Sequence, residues 1–355
     1  MRAWILVLAV LTGCSANFKY YDPAIPHRAS QEGFRNTYPH PPRGAGFWRW
    51  KWDQIVSGLP EKPDGGYRFD TARTDPAPQP SLQPAVTWVG HATVLLRVGG
   101  RYVLTDPQFS ERASPVSIAG PKRVVPASPP IDQLPHIDAV VISHNHYDHL
   151  DLDSVAKLAG QKGGSPRFFV PLGLKDWFER RGIGDVVELD WWQKADYQGL
   201  EFTFVPVQHW SKRTLLDENL SLWGGWVVRD PGFSFFFAGD TGYSMDFSDI
   251  GKRFGGFDLA AIPIGAYAPR WFMRVQHLDP AEAVRVHRDV RARQSLGIHW
   301  GTFYGLTDEN LYEPPQRLAE ERKKAGLAEE EFFVLKHGET RALSKKFDTR
   351  PVSSN

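Results

Sequence analysis

The chain has 355 residues, 41% of them apolar, enough for one large domain or two modest ones with a substantial core. Its 42 Lys and Arg against 41 Asp and Glu leave a near-neutral surface, which argues against a nucleic-acid partner, whose phosphates demand a basic excess. Cys14 is the single cysteine, so no intrachain disulfide can form.

That cysteine closes the first predicted element. Met1-Arg2 is a short basic start, residues 3–11 are apolar, and Leu11-Thr12-Gly13-Cys14 follows. The run is too short to span a bilayer and fits the core of a signal peptide. Leu-x-Gly-Cys resembles the bacterial lipoprotein box, which implies removal of residues 1–13 and lipidation of Cys14. Ser15 then implies a lipid-anchored protein of the cell envelope, at the outer membrane and facing the periplasm. An ordinary secretory signal is the plainer alternative.

Residues 14–84 read as an N-terminal extension. Residues 15–46 are rich in Pro, Arg, Asn and Tyr, show no period, and read as extended chain. In residues 47–56, Trp48, Trp52, Ile55 and Val56 fall at i, i+4, i+7, i+8 and predict an apolar helix stripe. That stripe suits either a lipid surface or packing on the core. A Pro/Gly/Asp-rich break over residues 59–84 precedes a hydrolase domain placed at 85–343, and a polar tail at 344–355.

Residues 85–96 and 101–105 alternate as two strands of a hairpin turning at Gly99-Gly100, with His91 in the first strand. Thr105-Asp106-Pro107 ends the hairpin, and residues 109–130 form a long loop. Residues 137–142 are a continuous apolar strand, as in a sheet covered on both faces. Short strands come next at 167–170, 186–189, 201–207, 222–228, 232–238, 259–264, 296–298 and 332–334. Helices alternate with them at 151–159, 175–181, 247–254, 280–290 and 311–324, the fourth capped by Asp279 with Pro280 at its first position.

Directly after the strand at 137–142 comes Ser143-His144-Asn145-His146-Tyr147-Asp148-His149-Leu150-Asp151. Three imidazoles and a carboxylate within six positions are costly to bury without a cation. His209, Asp240 and His299 each lie just past a predicted strand, where strand ends of a covered sheet converge. His and Asp without thiolates suit zinc, iron or manganese in a catalytic rather than a structural site. His144, His146 and His209 can hold one ion, and Asp148, His149 and His299 a second, with Asp240 between them. Two cations about 3.5–4 Å apart can bring a shared water's pKa toward about 7 for hydrolysis.

The turn, with His209, Asp240 and His299, resembles the metallo-β-lactamase superfamily. Thr105-Asp106-Pro107, Gly120-Pro121-Lys122-Arg123, Glu188-Leu189-Asp190-Trp191-Trp192, Gln208-His209-Trp210, Lys212-Arg213-Thr214-Leu215, Phe237-Ala238-Gly239-Asp240-Thr241-Gly242-Tyr243 and Ile298-His299-Trp300-Gly301-Thr302-Phe303 narrow the resemblance. They look like the N-acylphosphatidylethanolamine-hydrolysing phospholipase D family. The resemblance implies an α/β fold, an αββα sandwich of two mixed sheets flanked by helices. It implies two zinc ions on the seven ligands named above, with Asp148 and Asp240 at the reaction centre. The implied reaction cleaves a membrane phospholipid to an N-acylethanolamine and phosphatidic acid. Tyr147 and Gln276-His277 match positions that contact the substrate head group, and His277 could protonate the leaving oxygen. A homodimer is compatible with this reading. The loop Val116-Ser117-Ile118-Ala119 departs from the family pattern. Hydrolysis of another ester, a lactone or a soluble phosphodiester remains an alternative, as does a non-catalytic envelope lipoprotein that binds metal or lipid.

Overall fold

The structure is a computed structural model that describes residues 18–41, 46–72 and 82–343. The expected signal peptide, Cys14 and the polar tail lie outside the described residues. Among the described residues no helix is long and apolar enough to cross a membrane.

Two seven-stranded mixed sheets face each other. The first contains β1 (Ala85–Gly90), β2 (Thr93–Val98), β3 (Arg101–Thr105), β4 (Ala139–Val141), β5 (Arg167–Pro171) and β6 (Val186–Leu189). The second contains β7 (Lys194–Tyr197), β8 (Leu200–Val205), β9 (Gly225–Asp230), β10 (Phe233–Phe237), β11 (Phe257–Pro263), β12 (Ala292–Ile298) and β13 (Phe332–Phe333). β14 (Thr340–Ala342) returns to the first sheet and pairs antiparallel with β1. The orders are β14-β1-β2-β3-β4-β5-β6 and β13-β12-β11-β10-β9-β8-β7. Each sheet is antiparallel through one half and parallel through the other.

Alternation within β4 shows why its sequence is continuously apolar. Ala139 and Val141 join the core between the sheets, while Val140 joins a second core beneath α2 (Leu152–Ala159) and α3 (Lys175–Glu179). A strand clad on both faces has no polar side to show. Phe169 on β5 and Phe202 on β8 stack at 4.0 Å across the interface. The far face of the second sheet is covered by α4 (Asp246–Phe254) and α6 (Pro280–Asp289), with α7 (Glu313–Lys324) packed on α6. α6 carries the expected Asp279 cap, reciprocated by Glu282 in a capping box.

Three expectations change. The first hairpin is a three-stranded meander: the register shifts between Trp88 and Gly90, and His91 sits in the turn after β1 at φ +54° rather than in a strand. β7 and β14 are not among the expected strands, because each is only three or four residues long at a sheet's edge and, in β7, Ala195 and Tyr197 give too short an alternation to reveal the inward face. The apolar stripe of α1 (Gly46–Ser57) does not pack on the core: Trp48 is 76% exposed and Ile55 75%, while Trp50 turns inward.

The buried tryptophans carry their polar ends to partners. Trp226 on β9 is fully buried, and its indole N–H donates to the Ile142 carbonyl of the other sheet at 2.8 Å, one residue before the His-rich turn. Trp226→Phe should cost about 2–4 kcal/mol, from lost volume and a stranded carbonyl. Chemical denaturation checks it, and a cost within error of zero would mean the sheets are not tied there.

Candidate metal centre

All the ligand-type residues leave the same edge of the sandwich. His144, His146, Asp148 and His149 come after β4, His209 after β8, Asp240 after β10 and His299 after β12. These strand ends converge as expected for carboxyl ends in parallel sheets. Close approach at the edge is possible because Gly239, at φ +61°, has no Cβ; one would lie 2.6 Å from the Ser143 Cβ.

Two sets form. His144 Nε2 lies 2.8 Å from His146 Nδ1, and His209 Nε2 lies 3.3 Å from the same atom. His149 Nε2 and His299 Nε2 are 3.2 Å apart, with Asp148 Oδ2 at 3.4 and 3.5 Å from them. Asp240 stands between the sets, Oδ2 at 3.1 Å from His149 and 4.0 Å from His209, Oδ1 at 3.0 Å from His299. Ligands around a tetrahedral zinc at about 2.0–2.1 Å are about 3.4 Å apart, close to these spacings. Asp240 Oδ1, buried and without a hydrogen bond, is aimed into the cluster as a ligand would be. The donor set therefore fits divalent cations.

Burial holds His144 and His209 well below the ordinary imidazole range and brings His146 down to about 4, so the first set is in the neutral form that ligates. Burial would lower His149 and His299 too, but the Asp240 and Asp148 carboxylates outweigh it. They hold His149 well above its usual range and His299 at about 9. Asp148 and Asp240 stay well below theirs, because the imidazoles around them, His149 foremost, overcome the cost of burial.

Several residues beyond the expected ligands support the two sets, most of them without a signal in the sequence. Asp106, expected there as the end of a hairpin, is fully buried; it accepts from Ser143 N–H at 2.7 Å and Ser143 O–H at 2.5 Å, and pairs with His149 Nδ1 at 2.7 Å. This leaves His149 Nε2 for the second set. His91 Nε2 contacts Asp148 Oδ2 at 3.0 Å, so it belongs to the centre as a positioning residue. Arg213 donates to the carbonyls of Asn145 and Leu150 and stacks over Tyr147, bracing the turn from outside. Asn36, far off in the N-terminal extension, clasps the backbone of His209. Its Oδ1 accepts from His209 N–H at 3.0 Å and Trp223 Nε1–H at 2.9 Å, and its Nδ2 donates to the His209 carbonyl at 2.9 Å. No period or motif in residues 15–46 could announce that contact.

The expected substrate residues flank the cluster. Tyr147 donates its hydroxyl to the Arg213 carbonyl at 2.9 Å and lines a cleft of about 430 Å³ with Arg112, Val116, Trp177, Arg181 and Arg213. His277 has its Nδ1 3.8 Å from Asp240 Oδ2 and without a hydrogen-bond partner; burial brings its pKa down to about 4. Gln276 is buried, and its carbonyl accepts from His209 Nδ1–H at 3.0 Å, which orients that ligand.

Residues 101–300 match the Beta-lactamase superfamily domain. The chain belongs to this superfamily. As a superfamily member it is 47% identical over 244 residues to the N-acyl-phosphatidylethanolamine-hydrolyzing phospholipase D 1 of Caenorhabditis elegans, an alignment covering 66% of this chain and 68% of that one. It is 39% identical over 239 residues to the mitochondrial N-acyl-phosphatidylethanolamine-hydrolyzing phospholipase D of Saccharomyces cerevisiae, covering 65% of this chain and 50% of that one. Among solved structures it is similar to Igni18, a metallo hydrolase from the archaeon Ignicoccus hospitalis, with TM-score 0.56, 21% identity, and coverage of 74% of this chain and 100% of that one. The chain is a metal-dependent hydrolase of the metallo-β-lactamase fold.

The geometry makes two outcomes measurable. Asn36→Ala should weaken cation retention by about tenfold without unfolding the chain, read by chelator competition beside a thermal melt. Unchanged retention would leave Asn36 a mere surface bond. A cation and a proton compete for one imidazole lone pair. The first set is already neutral at neutral pH, whereas His299, held at about 9, must give up a proton. Affinity at the second set should therefore rise as pH climbs toward about 9, while the first set stays flat there. Calorimetry in buffers of different ionisation heat reads the protons released, and equal release at both steps would contradict the assignment.

Proposed function

We propose that this chain is a dinuclear zinc phosphodiesterase of the phospholipase D type, which hydrolyses N-acylphosphatidylethanolamine to an N-acylethanolamine and phosphatidic acid. What carries the reading is that two relatives, at 47% and 39% identity, bear the name of that activity. The whole seven-residue ligand set assembled at one edge supports it.

Divalent cations bound there would neutralise the phosphodiester's charge and lower the pKa of the attacking water. Iron or manganese would also accept this donor set, and metal analysis decides among them. The chain's own residues do the positioning. Asp240 spaces the two ligand sets, and Asp106, His91 and Asn36 hold individual ligands in place. The cleft beside Tyr147 sets Arg112 and Arg181, with Arg213 committed to the turn's carbonyls, beside the carboxylates of Glu111, Asp151 and Asp153 and the apolar walls of Val116 and Trp177. That mixture suits a phospholipid, an anionic head joined to hydrocarbon. His277, next to Asp240 with Nδ1 unpartnered and kept neutral by burial, would donate a ring N–H hydrogen bond to the departing alcohol oxygen. Lipidation at Cys14 would keep the enzyme in the envelope, at the surface where its substrate lies.

The test is turnover on N-acylphosphatidylethanolamine, with metal content measured on the same sample. Activity lost to chelator and restored by zinc is expected. No phosphatidic acid, with hydrolysis of a lactone or soluble phosphodiester instead, would replace this reading with a more general hydrolase. His277→Ala should lower turnover of the lipid by about 10²-fold or more, and far less for a nitrophenyl phosphodiester whose leaving group needs no proton. Equal losses on both substrates would remove His277 from stabilising the leaving oxygen.

A further inference from the structure

The exposed apolar surface of this protein is not scattered. Among the described residues sixteen large hydrophobic side chains are exposed, and most of them follow strand ends or lie on α1. Val116 and Ile118 come after β3, Leu215, Leu216 and Leu220 after β8, Met245 after β10, Trp271 after β11 and Leu152 at the start of α2, with five more on α1 and Leu59 two residues beyond it. The extremes are loop tips: Leu215 is 91% exposed, Leu216 90% and Ile118 87%. Leu215 and Leu216 come just after Arg213, the brace of the His-rich turn, and Ile118 comes just after the Arg112–Ser117 wall of the same cleft.

α1 supplies the opposite flank. It docks inward through Trp50 and Gln54, both bonded to Asp308 at 2.7 Å, and Trp50 stacks on Phe272. Phe272 belongs to α5 (Arg270–Met273), whose Arg270 donates to the His277 carbonyl at 2.9 Å. The outward stripe of Trp48, Trp52, Ile55 and Val56 is thus rigidly tied to the His277 side of the metal centre. Isolated exposed leucines need no explanation, but a ring of apolar tips around one mouth marks an interaction surface.

We propose that this metal-bearing edge is a bilayer-docking surface, with Ile118, Leu215 and Leu216 entering the acyl layer on one side of the centre and the α1 stripe lying in the interface on the other. Charge on the edge favours a lipid surface over a protein. Lys51, Arg112, Arg180 and Arg181 have no carboxylate within salt-bridge distance among the described residues, against Glu32 and Asp153 as edge acids without a cation, while Glu111 and Glu218 are each taken up by a lysine. Cations interleaved with apolar and aromatic tips are the pattern that meets lipid phosphates above an acyl layer. Phe18 shares a groove with Leu216 and Arg213. The docking surface takes from the proposed function only that the substrate resides in a lipid, and its test separates the two.

The experiment uses the full chain carrying Cys14→Ser, so that acylation does not contribute. An environment-sensitive fluorophore is placed at Leu216→Cys, or at Lys324→Cys on α7 as the remote control. Vesicles are phosphatidylcholine with phosphatidylglycerol, neither of them the proposed substrate. A blue shift at 216 with none at 324 is expected. Equal shifts, or none at 216 while the chain sediments with vesicles, would overturn the docking surface. In the unlabelled chain, Leu215→Asp with Leu216→Asp should cut turnover of bilayer substrate at least tenfold and leave detergent-dispersed substrate within twofold. Loss of concentration-dependent self-association in that variant, without any vesicle effect, would reassign the edge to a second copy of the chain. Insertion at 216 without turnover would keep the docking surface and sink the phospholipase reading instead.

Discussion

Asp240 and Asp148 are carboxylates buried among imidazoles, and such a cluster is stable only if its charges are matched. That constraint organises the edge of the sandwich. The carboxylates hold His149 and His299 upward against burial, while burial keeps His144, His146 and His209 neutral. Cations bound at the two sets would satisfy both halves at once, giving neutral nitrogens a Lewis acid and acidic oxygens a counter-charge. The surrounding shell serves the same end. Asp106 fixes one ring, His91 one carboxylate and Asn36 one backbone, so three of the ligands do not depend on their own rotamers alone. Backbone strain gathers here as well, with His91, Asp106 and His299 all at positive φ.

Much of this centre is legible in the sequence. The turn at residues 143–151 declares itself because ligand chemistry is packed into one local segment. His209, Asp240 and His299 can be found by looking at the residues just past each apolar strand, since the rule that strand ends converge is topological. Asp106 is visible but easily misread: an Asp before a Pro at the end of a strand looks like any turn residue until its burial is known. Asn36 is invisible. Its contact with His209 spans 173 positions and starts from a segment without period. Among the elements, β1 and β2 merge into one in the sequence because apolar residues continue through the bulge at Trp88 and Gly90. The α1 stripe is plain in the sequence, but whether it faces core or solvent depends on Trp50, which lies off the stripe and makes the inward contact.

The extension ahead of β1 proves to be more than a spacer. Phe18, Tyr20 and Phe34 form an aromatic cluster, His27 meets Asp190 at 2.7 Å, and Tyr38 bonds Asp249 on α4. Residues 101–300 carry the superfamily match, yet a physical boundary drawn there would cut away a clasp on a metal ligand. The loops that carry the exposed leucines are held from beneath by the same contacts that shape the site, since Arg213 braces the turn at one end and begins the apolar tip at the other.

The strand pairing also sets an order of assembly. The second sheet is built from one continuous stretch of chain, β7 to β13, but the first stays open at one edge until β14 arrives to pair with β1, from Thr87 with Thr340 to Ala85 with Ala342. Such distant pairing is entropically slow to form. The ligands are divided in the same way: His144, His146, Asp148 and His149 come from the first half, and His209, Asp240 and His299 from the second. Neither set of ligands is complete in a half-made protein. Cation uptake there would therefore come late and report completion of the fold, and a bound cation would staple together two halves built from separate stretches of chain.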